Sequence, residues 1–246
     1  MRRRLIAKLE IKSENVVKPI FFEGLRVIGN PNKIAKSYYI DGIDEIFLVD
    51  IVASLYRRSI NYDLIKNISK ELFIPLTVAG GIKKLDDISK LLEIGADKVS
   101  INTHAIQTDP SLINRAARKF GSQCILSNLE VKRIDKEWFC LSDGGRVLSN
   151  RTVFDWIKEL EKRGVGEILI QSVDFDGSLN GFDIDLFSQI KEKVKINTPL
   201  IHCSGAGNIK HIKDLIRIIN PNSICVSTVL HDNIVKINQI KKILND

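Results

Sequence analysis

The 246-residue sequence contains little cysteine: only Cys124, Cys140, Cys203 and Cys225, with no C-x-x-C pair among them. This spacing offers no zinc site. Three of the four lie in apolar, strand-like runs, so we expect reduced core thiols in a cytoplasmic protein. The sequence also has no dinucleotide fingerprint after its first strand and no Walker loop. Neither a cofactor nor a metal is therefore implied.

Long apolar runs are also missing. None approaches the ~20 residues that span a bilayer, and the basic start Met1-Arg2-Arg3-Arg4 lacks the apolar stretch of a secretory signal. Charged residues make up 27% and hydrophobic residues 44%, which excludes disorder. The net charge of +7 suits an anionic metabolite. The lysines are scattered along helical stretches without an aromatic-plus-basic motif, so we expect neither nucleic acid nor a membrane as partner.

Short, continuous apolar runs alternate with segments of helical spacing. Runs without polar alternation indicate strands buried on both faces of a parallel sheet. Eight strands alternating with helices predict a single α/β domain, residues 1–246, folded as a (β/α)8 TIM barrel. A doubly wound sheet is the alternative, but it would normally use fewer strands. The eight runs are Leu5–Ile11, Glu45–Val52, Ile74–Val78, Lys98–Ile101, Cys124–Leu129, Glu167–Val173, Pro199–Cys203 and Ser223–Val229.

One segment, Lys132–Ser149, interrupts this alternation after the fifth strand. It contains Trp138-Phe139-Cys140 followed by Asp143-Gly144-Gly145. This pattern predicts a small β-hairpin with the two glycines in or near its turn. An insertion there would lie on the side of the barrel where such enzymes keep their active sites.

The two halves of the chain resemble each other at a spacing of roughly 120–125 residues. Leu9-Glu10-Ile11-Lys12 matches Leu129-Glu130-Val131-Lys132, and three further matches follow in order. The sequence thus predicts two similar half-barrels, with Glu10 and Glu130 facing each other at the mouth. Glycine turns with free backbone N–H groups would lie on opposite sides of that mouth and suit a ligand with a phosphate at each end. The other matched sets are Val49-Asp50-Ile51 with Val173-Asp174-Phe175, Ala79-Gly80-Gly81 with Ser204-Gly205-Ala206-Gly207, and Asn102-Thr103 with Ser227-Thr228.

Several strings in the sequence resemble the cyclase subunit of imidazole glycerol phosphate synthase. The most specific is Gly-Ala-Asp-Lys-Val-Ser-Ile-Asn-Thr over residues 95–103, and the resemblance runs from about Arg4 to His231. It implies an enzyme of histidine biosynthesis that uses ammonia from a separate glutaminase subunit. The substrate would be a bis-phosphorylated ribulosyl-formimino aminoimidazole carboxamide ribotide. The products would be imidazole glycerol phosphate and aminoimidazole carboxamide ribotide. Other strings that carry the resemblance are Val78-Ala79-Gly80-Gly81-Ile82, Phe120-Gly121-Ser122-Gln123, Gly166-Glu167-Ile168-Leu169 and Asp174-Phe175-Asp176-Gly177.

The resemblance also implies roles for particular residues. The family has an aspartate as acid or base at the ends of strands one and five, where this sequence has Glu10 and Glu130. Each extra methylene moves the carboxyl by roughly 1 Å, a displacement that can cost ~10²-fold in rate. The site is therefore either rebuilt for glutamate or serves another substrate. Residues expected to bind the substrate and its phosphates are Lys18, Asp50, Gly80, Gly81, Asn102, Thr103, Gln171, Asp174, Asp176, Gly177, Ser204, Gly205, Gly207, Ser227 and Thr228.

Four charged residues match a family ring at the barrel floor that gates ammonia, and so imply a glutaminase docked on the N-terminal face. They are Arg4, Glu45, Lys98 and Glu167, each at the start of a strand run. From the residues alone, a salt-bridged ring that stabilises the floor is the alternative.

Other positions depart from the family pattern. Lys8 precedes Glu10 where the family has cysteine, and we expect it to point outward. Gln171 replaces a threonine, and Pro19 replaces a glycine in what we expect to be a loop carrying Lys18. Three alternatives stay open. The two glutamates in place of aspartates favour a related barrel that supplies ammonia to a sugar amidotransferase in surface-polysaccharide synthesis. The others are a non-catalytic anion-binding barrel and a sibling isomerase, which would share the phosphate-binding turns.

Overall fold

Eight parallel strands close into a barrel in the computed structural model, which describes residues 3–245. Around the barrel the order is β1, β4, β5, β6, β7, β10, β11 and β12, and β12 pairs with β1. The predicted (β/α)8 TIM barrel is confirmed. Met1, Arg2 and Asp246 of the predicted domain lie outside the described residues. The barrel strands are β1 Arg4–Lys12, β4 Glu45–Asp50, β5 Leu76–Ala79, β6 Lys98–Ser100, β7 Ile125–Ile134, β10 Glu167–Ser172, β11 Leu200–Cys203 and β12 Ser223–Val226.

The barrel strands are buried on both faces, which explains why their sequences are continuous apolar runs. All six residues of β4 are buried: Phe47 belongs to a cluster inside the barrel, and Leu48 belongs to the layer between barrel and helices. The predicted runs match the strands with small shifts. The largest is at the fifth run, where β7 extends to Ile134 because it continues into the hairpin. At the last run β12 ends at Val226, and Val229 is buried within a short helix instead.

Helices follow the barrel strands and cover their outer face. The predicted helical spacing is confirmed in α3, α6 and α8, whose apolar stripes are buried against the barrel. No helix in the described part of the chain is long and apolar enough to cross a membrane. The helices are α1 Pro31–Ile40, α2 Tyr62–Ser69, α3 Leu85–Glu93, α4 Thr103–Gln107, α5 Ser111–Phe120, α6 Val153–Lys162, α7 Ile184–Lys193, α8 Ile209–Ile219, α9 Thr228–His231 and α10 Ile237–Asn245.

Each half-barrel carries an antiparallel extension after its first strand. In the second half, β7 continues into β8 Glu137–Ser142 and β9 Val147–Thr152, which confirms the predicted hairpin with Gly144 and Gly145 in its turn. In the first half, β1 continues into β2 Asn15–Ile20 and β3 Glu23–Gly29, a hairpin that the sequence analysis missed.

The missed hairpin corrects the position of Lys18, which lies in strand β2 and not in a loop. Pro19 makes this segment look like a loop because proline cannot donate a ladder hydrogen bond. The structure accommodates it at a register shift between Lys18 and Ile20, where β2 pairs with β3. On the other side Val17 pairs with Glu10, so the hairpin folds back over the mouth and carries Lys18 to Glu10.

Candidate active site

Lys18 joins two carboxylates at the carboxyl ends of the barrel strands. Its Nζ donates to both oxygens of Glu10, at 3.0 and 2.8 Å, and to both oxygens of Asp176, at 2.9 and 3.1 Å. All three side chains are buried. Ser227 adds a hydroxyl donor to Glu10 at 3.3 Å. The first and second halves of the chain therefore meet in one charged cluster.

Lys8 points into the barrel, which corrects the expectation that it points outward. Its side chain is buried, and its Nζ donates to the Gln171 side-chain oxygen and lies 3.4 Å from Glu10. Alternation along β1 is the signal that identifies this orientation, because residues two apart share a face and Glu10 points inward. Gln171 in turn donates to Asp176 at 3.2 Å and so joins the same cluster.

The cluster sets the charge state of Glu10. Burial alone raises its pKa, but the ammonium groups of Lys18 and Lys8 outweigh burial and lower the pKa to about 2. Burial likewise acts against the charge on Lys18, and the two carboxylates outweigh it and raise its pKa. Glu10 is therefore ionised at neutral pH, and both its oxygens are engaged by Lys18.

Glu130 has the opposite electrostatics. Burial raises its pKa to about 7, against the opposing effects of Lys8 and of the Gly145 N–H, which donates to Glu130 at 2.8 Å. The side chain lines a cavity and carries no direct ion pair among the described residues. Near neutral pH Glu130 thus exists in both protonation states, as a proton donor or acceptor requires.

The cavity at Glu130 collects predicted site residues from the first half-barrel: Asp50, Gly80, Gly81, Asn102 and Thr103. Asp50 is paired with Arg58 at 2.8 Å, a contact that the sequence analysis missed because only the fold brings that loop residue to the strand end. The Ser100 hydroxyl and the Asn128 amide oxygen also reach this cavity, buried and without a protein partner in the described chain. Neither residue was predicted. Their side chains point into the barrel from β6 and β7, and the alternation of side chains along those strands could have identified them.

A second cavity lies on the other side of the mouth and collects predicted residues of the second half-barrel: Asp176, Gly177, Ser204, Gly205, Ser227 and Thr228. Lys8 also reaches this cavity and supplies a cation. Gly205 has φ +90°, and a Cβ there would lie 1.8 Å from the Gly181 carbonyl oxygen, so only glycine fits this turn.

Five predicted site residues do not line either cavity. Glu10, Lys18 and Gln171 lie in the buried charged cluster described above, whereas Asp174 and Gly207 have other partners. Val173–Phe175 forms a helical turn that points Asp174 outward, where it accepts from the Arg133 N–H at 2.8 Å. The Gly207 N–H donates to the His211 ring at 3.1 Å and so is already engaged. Gly207 instead allows a close chain approach, because a Cβ there would lie 2.0 Å from the Leu179 carbonyl oxygen.

The four floor residues form a closed ring of ion pairs. Arg4 pairs with Glu45 at 3.0 Å and with Glu167, and Lys98 pairs with Glu45 at 3.1 Å and with Glu167 at 2.7 Å. Thr77 adds a hydroxyl donor to Glu45 at 2.7 Å. Cations and anions alternate around the ring, which lies at the starts of strands β1, β4, β6 and β10.

A family model and several similar proteins point to the same kind of protein. A family model described as "Histidine biosynthesis protein" matches residues 4–236. A Legionella pneumophila protein named imidazole glycerol phosphate synthase subunit HisF is 45% identical over 208 residues, covering 84% of this chain and 97% of that protein. Proteins of the same name from an Exiguobacterium species and from Staphylococcus carnosus are each 40% identical. They cover 99% and 100% of this chain, and 93% and 96% of their own lengths.

Proposed function

The chain belongs to the histidine biosynthesis protein family, and on that premise we propose that it is a cyclase subunit of the imidazole glycerol phosphate synthase type. It converts a bis-phosphorylated ribulosyl-formimino aminoimidazole carboxamide ribotide, with ammonia, into imidazole glycerol phosphate and aminoimidazole carboxamide ribotide. The relatives reported above all carry the synthase name, and nothing favours the alternative of ammonia supply to a sugar amidotransferase.

The observation that carries the chemistry is the difference between the two mouth carboxyls. Ion pairing lowers the pKa of Glu10 to about 2, and burial raises that of Glu130 to about 7. Two carboxyls whose pKa values are pushed apart in one site divide the acid and base roles. We assign Glu130 as the acid that donates a proton in ring closure. Glu10 is the ionised partner that stabilises developing positive charge or accepts a proton as a weak base.

The two cavities support a substrate with a phosphate at each end. Each has a glycine turn at a strand end. Lys8 lines the second cavity as a cation, and Asp50 in the lining of the first is paired with Arg58. In this proposal Gly80 and Gly81 hold one phosphate, and Gly205 with Ser204 holds the other, through backbone N–H groups. Asp174 and Gly207 are left out of the proposed binding set because their positions give them other partners.

The partner in this proposal is a glutaminase subunit on the N-terminal face, since the relatives are named as subunits of a synthase. Two features of that face support docking there. The ion-pair ring closes the floor, and two large apolar side chains before strands β4 and β5 are exposed: Ile40, at the end of α1, at 72% and Phe73, in a loop, at 82%. Exposed apolar side chains of this size favour a protein contact. The cytoplasm is the proposed compartment, in keeping with four free cysteines.

The proposal is tested by turnover of the purified chain with the ribulosyl-formimino substrate and excess ammonium salt, which bypasses the glutaminase. Glu10→Gln and Glu130→Gln are expected to lower kcat by at least 10²-fold. Glu14→Gln and Glu137→Gln make the same chemical change at exposed sites of the two hairpins and serve as matched controls.

Three outcomes separate the competing functions. Turnover lost in the two mouth variants but kept in the controls supports the cyclase. Substrate binding without turnover in the wild-type chain would instead favour the ammonia-supplying alternative. If the wild-type chain neither bound nor turned over the substrate, the substrate assignment would be wrong.

A further inference from the structure

Strands β1 and β10 are bridged twice across the barrel lumen. Arg4 contacts Glu167 at the floor, and Lys8 contacts Gln171 further up. Each residue of the upper pair is four positions beyond its counterpart on the same strand, which is about 13 Å along a strand. Because β11 and β12 lie between β1 and β10 in the closed sheet, both bridges must cross the lumen.

The space between the two bridges is apolar. Ile6 lies between Arg4 and Lys8 on the inward face of β1, and Leu169 lies between Glu167 and Gln171 on β10. Both are fully buried in the cluster inside the barrel, together with Phe47. Ammonia that enters at the floor would therefore pass the charged ring and then these apolar side chains, and would meet the Lys8 ammonium before it reached Glu10.

We propose that the Lys8–Gln171 bridge is an inner gate that closes the ammonia route on the side of the mouth. The inference rests on the proposed function, because it needs ammonia that enters at the floor. The bridge opens easily: its acceptor is a neutral carboxamide, and the Lys8 Nζ keeps Glu10 as a second partner at 3.4 Å. Its positive charge favours passage of neutral ammonia over ammonium, as the apolar section below it also does.

The gate is tested in the complex with the glutaminase, by the ratio of glutamine-dependent to ammonium-dependent turnover. Ammonium from solvent reaches the mouth directly and does not pass the gate. A substitution that alters only the chemical step therefore changes both turnovers equally and leaves their ratio unchanged. Gln171→Glu replaces the neutral acceptor with a carboxylate that holds Lys8, and should lower the ratio at least tenfold. Lys8→Met removes the bridge and should raise it at least threefold. Lys12→Met, at the exposed end of the same strand, should leave it unchanged.

Two results of this experiment would overturn the gate. One is that Lys8→Met and Gln171→Glu change both turnovers in the same proportion, which would confine Lys8 to the chemistry at the mouth. The other is a wild-type complex that uses ammonium but never glutamine, because Lys8 would then be a permanent plug.

A second measurement keeps the inference separate from the proposed function. While the bridge is closed, the Lys8 ammonium is buried and hydrogen-bonded to Gln171, so ¹⁵N-resolved NMR should show its protons exchanging at least tenfold more slowly than those of Lys12. The Lys8 signal is assigned by its loss in Lys8→Met. Equal exchange rates would overturn the gate whether or not the chain turns over substrate. Slow exchange with no turnover by ammonium would support closure of the lumen and reject the cyclase assignment alone.

Discussion

Lys18 and Glu10 come from two strands of one hairpin, and the Lys18 ammonium contacts both carboxylate oxygens of Glu10 at 3.0 and 2.8 Å. Asp176 from the other half-barrel contacts the same ammonium. The β1–β2 hairpin therefore does more than cover the mouth, because it supplies the cation that keeps Glu10 ionised. Because one buried lysine is shared by two carboxylates, Lys18 should contribute both to the stability of the protein and to the charge state of Glu10.

Removing this cation is expected to destabilise the protein strongly. Lys18→Met leaves Glu10 and Asp176 buried with one cation fewer, and breaking a buried pair costs about 3–5 kcal/mol. Chemical denaturation of the variant against wild type at pH 7 measures the loss, with Lys12→Met as the exposed control. A loss below about 1 kcal/mol would contradict the description of the cluster as tightly coupled.

Stability should also fall at acid pH through Glu10. Its folded pKa of about 2 lies below the ordinary value of 4.5, so its stabilising contribution is present above pH 4.5 and is lost as the pH falls toward 2. Glu10→Gln should lack this part of the acid transition. Denaturation of wild type and variant between pH 6 and pH 2 tests this, and parallel pH profiles would count against an ionised Glu10.

Glu130 should show the reverse dependence. Its folded pKa of about 7 lies above 4.5, so its contribution to stability is fully present below pH 4.5 and is lost as the pH rises through 7. Relative to wild type, Glu130→Gln should therefore become more stable between pH 4.5 and 7, by up to about 3 kcal/mol. The free energy of unfolding at pH 5 and pH 8 measures this difference. A constant difference would mean that burial does not raise the pKa.

Much of the barrel was predictable because its signals are local. Continuous apolar runs such as β4 and the repeat that matches Glu10 with Glu130 follow directly from the sequence, as does the hairpin turn at Gly144. The β2–β3 hairpin was not predicted because Pro19 conceals a strand that tolerates it only through a register shift. The Asp50–Arg58 pair depends on how a loop folds back over a strand end, which no spacing in the sequence encodes.

Gly205 lies in the glycine turn that we propose to bind the second phosphate, and its substitution should show how tightly that turn is packed. Gly205→Ala forces a Cβ against the Gly181 carbonyl and should weaken substrate binding at least tenfold, with a loss of stability of about 1–3 kcal/mol. Gly42→Ala is the matched control, because Gly42 has nearly the same φ, +87°, with nothing within 4 Å of the added Cβ. Equal effects of the two changes on binding would show that backbone strain alone, and not the turn, is responsible.

The ion-pair ring at the barrel floor should couple glutamine hydrolysis in the glutaminase to product formation in this chain. Glu167→Gln weakens the pairs with both Arg4 and Lys98, so less of the ammonia released from glutamine should end in product. The measurement is product formed per glutamine hydrolysed in the complex, which we expect to fall severalfold. Asp214→Asn, on the outward side of α8, is the control. An unchanged ratio would leave the ring with a purely structural role.

In the proposed function, Glu10 and Glu130 differ in protonation state at neutral pH. The most direct measurement is a ¹³C NMR titration of the glutamate side-chain carboxyls, with Glu10 and Glu130 assigned by the loss of their signals in the glutamine variants. We expect a midpoint near 7 for Glu130 and one near 2 for Glu10. Two midpoints close to the ordinary value of 4.5, or the reverse order, would contradict this expectation.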